Sequence, residues 1–357
     1  MVAEDVTIED TLGDEDLEEN IPFKYSITSY GADYPVDGLV KRIKDGGILI
    51  PPFQRSFVWR IKQASRFVES LLLGLPVPGI FLSKEADSQK LLVIDGQQRL
   101  RTLEYFCGGV FGDTGKQFKL TGVQKQFDGA TYAKLDEEDR RRFDDSILHA
   151  TIVKQEEPSR DDSSIYHIFE RLNTGGTYLQ PQEIRACIYH GEFNDVLVRL
   201  NFSKSWRATY GGISPRMRDQ ELILRFLALC FSADVYSRPM KEFLNSYMGA
   251  NRHLELQSAE EVTNAFIGAI DVCYKQLGKN VFKPKRALNA AVFDAVMVGV
   301  ARRLMSGEIA DSNSFRRRHK ELMSNDSFIT ATETATADEE NVGRRLRLAT
   351  EAFRDVE

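Results

Sequence analysis

The spacing of apolar positions along the chain predicts a mixed N-terminal part and a helical C-terminal part. Between residues 60 and 73 the apolar positions recur every three or four residues, which predicts an amphipathic helix that ends at Gly74. Residues 90–94 form a short apolar run typical of a buried strand, and residues 97–106 return to helical spacing. From residue 160 onward the spacing is helical almost throughout.

These patterns favour an α+β fold, in which a small α/β core is followed by a mainly helical half. We expect an acidic tail over residues 1–20, an α/β domain over 21–158 and a helical domain over 159–357. Further strands are predicted at 48–50, 79–83, 118–120 and 150–153. Further helices are predicted at 35–44, 136–147, 162–172, 181–190, 192–201, 214–231, 238–248, 258–278, 287–305 and 340–353, with a late loop at 329–340.

Composition and charge narrow the class of protein. The 357 residues include 42% hydrophobic and 28% charged side chains, as in soluble globular proteins, and no apolar run approaches the length of a membrane helix. The net charge of −6 is uneven, because residues 1–20 hold nine acidic side chains and no basic one. We expect this tail to be disordered, and the four widely spaced cysteines to be reduced in a cytoplasmic protein.

The strongest candidate site is the junction between the strand and the helix predicted on either side of Gly96. Glycine lets the backbone turn sharply there, and the helix that follows presents amide groups and the positive end of its dipole. Arg99, in the first turn, adds a planar guanidinium suited to phosphate. An ordinary capped helix start has the same pattern, so the pattern alone leaves both interpretations open.

Four more residues of this junction carry groups that suit nucleotide chemistry. Asp95 can hold a divalent metal, position a water or accept a hydrogen bond from a ribose hydroxyl. Gln97 and Gln98 open the helix, and Thr102 offers a hydroxyl one turn further on. The alternative is that Asp95 only accepts hydrogen bonds from the first amides of the helix.

Two other segments combine polar and aromatic residues next to a predicted turn. Gln54, Arg55 and Trp59 lie between a strand and a helix, where an aromatic ring can stack a base and Arg55 can pair with phosphate. Phe57 and Trp59 can instead be core residues. Asn173 and Thr174 precede Gly175-Gly176 and can face a ligand or simply form a turn between helices.

Basic clusters recur along the chain and would form a phosphate-tracking surface if several shared one face. Otherwise each cluster is a solvated helix face. They comprise 140–142, Arg216 with Arg218, Lys283 with 285–286, 316–318 with Lys320, and 344–345 with Arg347. The five histidines follow no metal-binding spacing, and no GxxxxGK[ST] phosphate loop is present. A nuclease that works with this chain would therefore reside in another protein.

Four segments of the sequence together resemble the N-terminal domain family of GmrSD-type, modification-dependent restriction systems. Four blocks carry the resemblance, over roughly residues 35–305. They are residues 54–59; residues 74–78 with 93–103; residues 173–176 with 182–185; and residues 288–289 with 293–294. The resemblance implies a ParB/sulfiredoxin-like core in an anti-phage protein that binds, and in several members hydrolyses, a nucleoside triphosphate.

The resemblance also implies roles for individual residues. Asp95, Gln97, Gln98 and Arg99 would be catalytic, with Asp95 orienting Mg²⁺ or the attacking water and a glutamine positioning that water. The nucleotide-binding set would be Gln54, Arg55, Trp59, Asp95, Gly96, Gln97, Gln98, Arg99, Thr102, Asn173 and Thr174. The implied partners are DNA, a separate histidine-metal nuclease subunit and, as an option, a second copy of the chain.

Three functions stay open from the sequence. The first is a triphosphate-dependent, DNA-sensing subunit that acts with a partner nuclease. The second is a ParB-like nuclease in which Asp95 holds the catalytic metal. The third is a non-catalytic binding module for which the nucleotide is only an effector.

Overall fold

A computed structural model describes residues 8–9, 26–50, 57–85, 88–112, 115–157, 163–172 and 179–356. The chain divides into two compact units. One, here called the sheet unit, is Lys24–Tyr178, and the other, the helical unit, combines Met1–Phe23 with Leu179–Glu357. The boundary predicted at residue 158 lies inside the sheet unit as the structure has it.

The sheet unit is built on a mixed five-stranded sheet. Its strands follow the spatial order β2-β6-β4-β5-β3; β2 with β6 and β4 with β5 are antiparallel, whereas β4 with β6 and β3 with β5 are parallel. The strands are β2 (Ser26–Pro35), β3 (Ile48–Leu49), β4 (Ile80–Lys84), β5 (Leu91–Asp95) and β6 (Ile147–Glu157). The structure differs most from the prediction at the last two predicted strands. Residues 118–120 form no strand, and the strand predicted at 150–153 extends in both directions.

Three amphipathic helices cover one face of this sheet and form its core. Their buried apolar residues include Leu39, Val68 and Leu103, which cluster with Leu82 and Ile152 of the sheet. Burying such side chains is the main stabilising term, at about 1.5–3 kcal/mol for each large one. The helices of the unit are α1 (Val36–Lys44), α2 (Ile61–Leu72), α3 (Gln97–Gly108), α4 (Glu137–Asp144) and α5 (Ser163–Leu172).

Helix α5 belongs to the sheet unit because it packs on strands β5 and β6. Its Ser164 hydroxyl donates a hydrogen bond to the side-chain oxygen of Gln155 on β6. Ile165, Tyr166 and Phe169 of the helix are buried. This packing explains why the unit continues past the boundary expected from the change in apolar spacing.

The helical unit contains ten helices among its described residues. They are α6 (Pro181–Ile188), α7 (Glu192–Asn201), α8 (Lys204–Tyr210), α9 (Arg218–Ser232), α10 (Met240–Ala250), α11 (Ala259–Leu277), α12 (Ala290–Leu304), α13 (Ser312–Met323), α14 (Asp326–Glu333) and α15 (Glu339–Arg354). The late loop predicted at 329–340 is partly wrong, because α14 covers its start and α15 its end. No helix in the described ranges is both long and apolar enough to cross a membrane.

A short parallel ladder joins the two pieces of chain that make up the helical unit. Strand β1 (Ile8–Glu9) pairs with β7 (Leu288–Asn289). The sequence predicts disorder for the whole acidic tail. Two of its residues form this ladder, and the other eighteen lie outside the described residues.

A buried charge cluster links three helices of the helical unit. Asp294 on α12 is fully buried and accepts from Arg225 of α9 at 2.7 Å and from Arg345 of α15 at 3.3 Å. Burial lowers the pKa of the Arg345 guanidinium, and Asp294 opposes that effect. Since a buried charge is tolerated only with a partner, Asp294 is the residue that lets both arginines remain in the core.

Candidate functional site

The candidate site lies where strand β5 ends and helix α3 begins. Gly96 has a φ of +99°, in the left-handed region that favours glycine, and a Cβ atom there would overlap the side chain of Ile80 on the neighbouring strand. The first intrahelical hydrogen bond runs from the Leu100 amide to the Gly96 carbonyl. Gly96 has no side chain, so the residue at the N-cap supplies no side-chain hydrogen bond to the first turn of the helix.

Arg99 and Asp95 form an ion pair across this helix start. The Arg99 Nη2 atom lies 2.6 Å from Asp95 Oδ2, and the side chains are 16% and 46% exposed respectively. The Nε atom of Arg99 is buried and has no hydrogen-bond partner within the described part of the chain. The guanidinium is therefore held in one orientation while part of its hydrogen-bonding capacity stays unused.

Gln98 contacts a distant segment and not its own helix. Its side-chain oxygen accepts hydrogen bonds from the backbone amides of Val58 and Trp59, at 3.0 and 3.2 Å. The structure thus brings together two of the segments that the sequence singled out. Gln98 fixes the backbone that follows residues 54–56.

Thr102 is fully buried, and its hydroxyl donates to the Gln98 carbonyl at 2.7 Å. Gln97 is half-buried in the first turn of α3. Of the two, Gln97 is the one that reaches the surface at the helix start.

The aromatic side chains next to the site belong to the core. Trp59 is half-buried against the core and meets the ring of Phe67 edge-on, with 5.7 Å between ring centroids. Phe57 meets Tyr105 and Phe111 in the same manner, at 5.0 and 5.5 Å. This packing corresponds to the second sequence interpretation of these aromatics, in which they anchor the segment.

Four predicted nucleotide-binding residues lie outside the described residues. Gln54 and Arg55 precede Phe57, and Asn173 and Thr174 follow helix α5. Their predicted roles stay predictions.

The chemical groups at the helix start are of the types that bind a triphosphate with its magnesium ion. Phosphate oxygens are acceptors, and Arg99 has a buried donor without a partner. Magnesium sites in nucleotide-binding proteins use one or two carboxylates together with the phosphates, and Asp95 keeps an exposed carboxylate. Among the described residues no group of three His, Cys, Asp or Glu side chains could hold a metal ion.

The thiol of Cys107, near the other end of α3, is poorly suited to act as a nucleophile. Burial is the largest cause that raises the pKa of Cys107, to about 12, and the nearby Asp144 raises it further. A thiol with that pKa stays protonated near neutral pH.

The structure also shows a polar pair that the sequence did not predict. Asp33 on β2 and His149 on β6 are register partners, with 2.8 Å between Oδ1 and Nδ1 and both side chains more than half exposed. Through the registers of Ile80 with Ala150 and Phe81 with Asp95, the pair lies at the same end of the sheet as Asp95. No local pattern could have indicated it, because the two residues are 116 positions apart.

The basic clusters of the sequence do not all reach the surface. Arg345 is buried in the charge cluster with Asp294, and Arg216 pairs at 2.9 Å with the buried Glu183. Arg344 pairs with Glu340 on its own helix. These arginines stabilise the helical unit and are already partnered, which reduces the basic surface expected from the sequence.

Comparison with known proteins gives one family match. Residues 36–190 match the family described as GmrSD restriction endonuclease, N-terminal domain, from the first residue of α1 to just beyond α6. No curated protein matches the chain. A solved Pnob8-like ParB-N domain aligns with 90% of this chain and 99% of its own length, at 10% identity and a TM-score of 0.21.

Proposed function

We propose that residues 36–190, which match the GmrSD N-terminal domain family, bind a nucleoside triphosphate at the start of helix α3. One observation supports the proposal above the others. The guanidinium of Arg99 is fixed by Asp95 beside an uncapped helix start and keeps a buried donor without a partner. A phosphate is the group that satisfies both the donor and the helix dipole.

In this proposal each residue of the junction has its own part. Arg99 and the first turn of α3 hold the phosphates, and Gly96 allows the ligand to approach the backbone. Asp95 would hold Mg²⁺, which supplies positive charge against the β- and γ-phosphates when bound. Gln97 faces the attacking water. Gln54, Arg55, Asn173 and Thr174 complete the nucleotide-binding set in the proposal.

At the level of the whole protein, we propose a module of a restriction system that senses phage DNA. The family description names a restriction endonuclease, and a nuclease partner of the histidine-metal type would then perform the cleavage. The triphosphate would gate the response to DNA. Hydrolysis of the triphosphate is a further step of the same proposal.

A binding titration with matched arginine variants tests the site. Each common triphosphate, with Mg²⁺, is titrated by calorimetry into the wild-type chain and into Arg99→Ala and Arg101→Ala. Arg101 lies on the same helix and pairs with Glu104 at 2.8 Å, so its removal changes the net charge equally. We expect Arg99→Ala to weaken binding by about tenfold or more, since a charge-assisted hydrogen bond contributes about 1.5–3 kcal/mol.

Equal affinity in the two variants would refute the assignment of the phosphate site. A thermal-shift measurement provides a second readout, because ligand at about 100 times its Kd stabilises the folded state by about 2.7 kcal/mol. Phosphate release is measured separately. Binding without release would reduce the proposal to a nucleotide effector site.

A further inference from the structure

A cavity of about 450 Å³ lies within the helical unit. It is bordered by helices α12 and α15 and by the 3₁₀ turn Ala233–Val235 that follows α9. Small-molecule pockets usually measure about 300–1,000 Å³, so this cavity has the size of a ligand site.

Three arginines from two helices line this cavity. Arg302 comes from α12, and Arg347 and Arg354 come from α15, seven residues apart and therefore on the same helix face. Arg302 donates to the Thr350 hydroxyl at 3.2 Å. In the described ranges none of the three has a carboxylate within salt-bridge distance.

Other arginines of the same two helices are matched by acceptors. Arg303 donates to the Val356 carbonyl at 2.6 Å and to the Gly307 carbonyl at 3.0 Å. Arg344 pairs with Glu340, and Arg345 with Asp294. Arg347 and Arg354, by contrast, are exposed side chains that line the cavity, and Arg302 beside them is half-buried and bonded to Thr350.

Two walls of the cavity belong to helices that pack closely against each other. Helices α12 and α15 touch at Gly299, where an added Cβ atom would lie 2.8 Å from the backbone of Ala349. Arg302 lies three residues after Gly299 on α12, and Thr350 directly follows Ala349 on α15. Val342 and Leu346 give the cavity an apolar floor, since both are buried.

Two carboxylates also border the cavity and limit its positive charge. Glu339 accepts from the Arg238 amide at 2.9 Å, which lowers the pKa of this carboxyl. Asp234 lies on the 3₁₀ turn and is exposed. The five charged side chains that border the cavity leave it net positive.

We propose that this cavity binds a phosphate-bearing ligand through Arg302, Arg347 and Arg354. Planar guanidinium groups match the geometry of phosphate oxygens, and several of them around one anion give a tight site. The phosphate can belong to a free phosphorylated small molecule, for which the apolar floor receives the organic part, or to the backbone of DNA. Either ligand binds here independently of the triphosphate proposed at α3.

Competition between two probes tests the proposal on the full chain. Pyrophosphate is titrated by calorimetry, and a short fluorescein-labelled DNA duplex by anisotropy, into the wild type and the Arg347→Gln/Arg354→Gln double variant. Arg344→Gln is the control on the same helix, because it removes a charge from α15 outside the cavity. Arg99→Ala separates this site from the one at α3.

We expect at least one probe to bind the double variant about tenfold more weakly than the wild type, while Arg344→Gln retains that binding. If the duplex binds at this site and pyrophosphate displaces it, the bound phosphate belongs to a DNA backbone. If pyrophosphate binds and the duplex does not, the ligand is a small molecule. The proposal is overturned if neither probe binds the wild type. It is equally overturned if the double variant binds as the wild type does, or if only Arg99→Ala loses binding. Thermal unfolding of each variant checks that the fold is intact.

Discussion

Gln98 provides the sharpest test of how the candidate site is held together. Its side-chain oxygen accepts from the amides of Val58 and Trp59, at 3.0 and 3.2 Å. Replacement by methionine keeps the length of the side chain and removes this acceptor. Replacement by glutamate keeps an acceptor oxygen and removes the amide NH₂ group.

The magnitude follows from the two hydrogen bonds. A hydrogen bond contributes a net ~0.5–1.5 kcal/mol, and water replaces it more readily at the exposed Val58 than at the half-buried Trp59. We therefore expect Gln98→Met to lower the free energy of unfolding by about 1–2 kcal/mol. In a domain of about 150–250 residues this corresponds to a decrease in Tm of roughly 2–8 °C. Gln98→Glu should have a Tm close to that of the wild type.

The assay combines calorimetric melting with triphosphate turnover. If Gln98 acts by positioning, methionine lowers Tm and kcat together, and glutamate restores both. A catalytic role, in which the amide NH₂ orients water, predicts a different result. Glutamate would then keep the Tm and lose the turnover. A Gln98→Met chain that melts and turns over like the wild type would refute the positioning argument.

Three further predictions concern the turn, the buried charges and pH. Gly96→Ala should lower stability by about 1–2 kcal/mol from its left-handed φ alone, and further through overlap with strand β4, as urea unfolding would show. Asp294→Ala should destabilise by about 3–5 kcal/mol because two buried guanidinium groups lose their partner, whereas Asp338→Ala, which breaks an exposed pair with Arg238, should change stability by less than about 1 kcal/mol. Burial lowers the pKa of His319 from 6.5 to about 4, so the unfolded chain binds more protons between these values and stability falls as pH decreases through that window. The loss should reach roughly 3 kcal/mol, and it should be absent in His319→Gln when urea midpoints at about pH 7 and about pH 4 are compared.

The junction at Gly96 could be predicted because its signals are local. An apolar run, a glycine and helical spacing follow one another within a few residues, and β5 and α3 begin within a residue of the positions expected. The ion pair between Arg99 and Asp95 is likewise local, because the two residues are only four positions apart in the sequence. Tertiary structure did not need to be known for these features.

Other elements depend on partners that are distant in sequence. Strand β2 has no predicted counterpart in the apolar spacing, because it has few apolar residues and its hydrogen bonds come from β6. Helix α13 was missed because only Phe315 and Leu322 of it are buried, too few for a clear helical period. The link from Gln98 to Val58 spans 40 positions and also has no local signal.

The β1–β7 ladder means that the order of synthesis and the order of assembly differ in this chain. Ile8 and Glu9 are made before the sheet unit, whereas their partners Leu288 and Asn289 are made only after it. At about 5–20 residues per second this delay is on the order of tens of seconds. The sheet unit, which is continuous in sequence, can complete its folding during that time, whereas the helical unit closes last. A bulky N-terminal fusion would therefore slow the final step of the helical unit and leave the folding of the sheet unit unchanged.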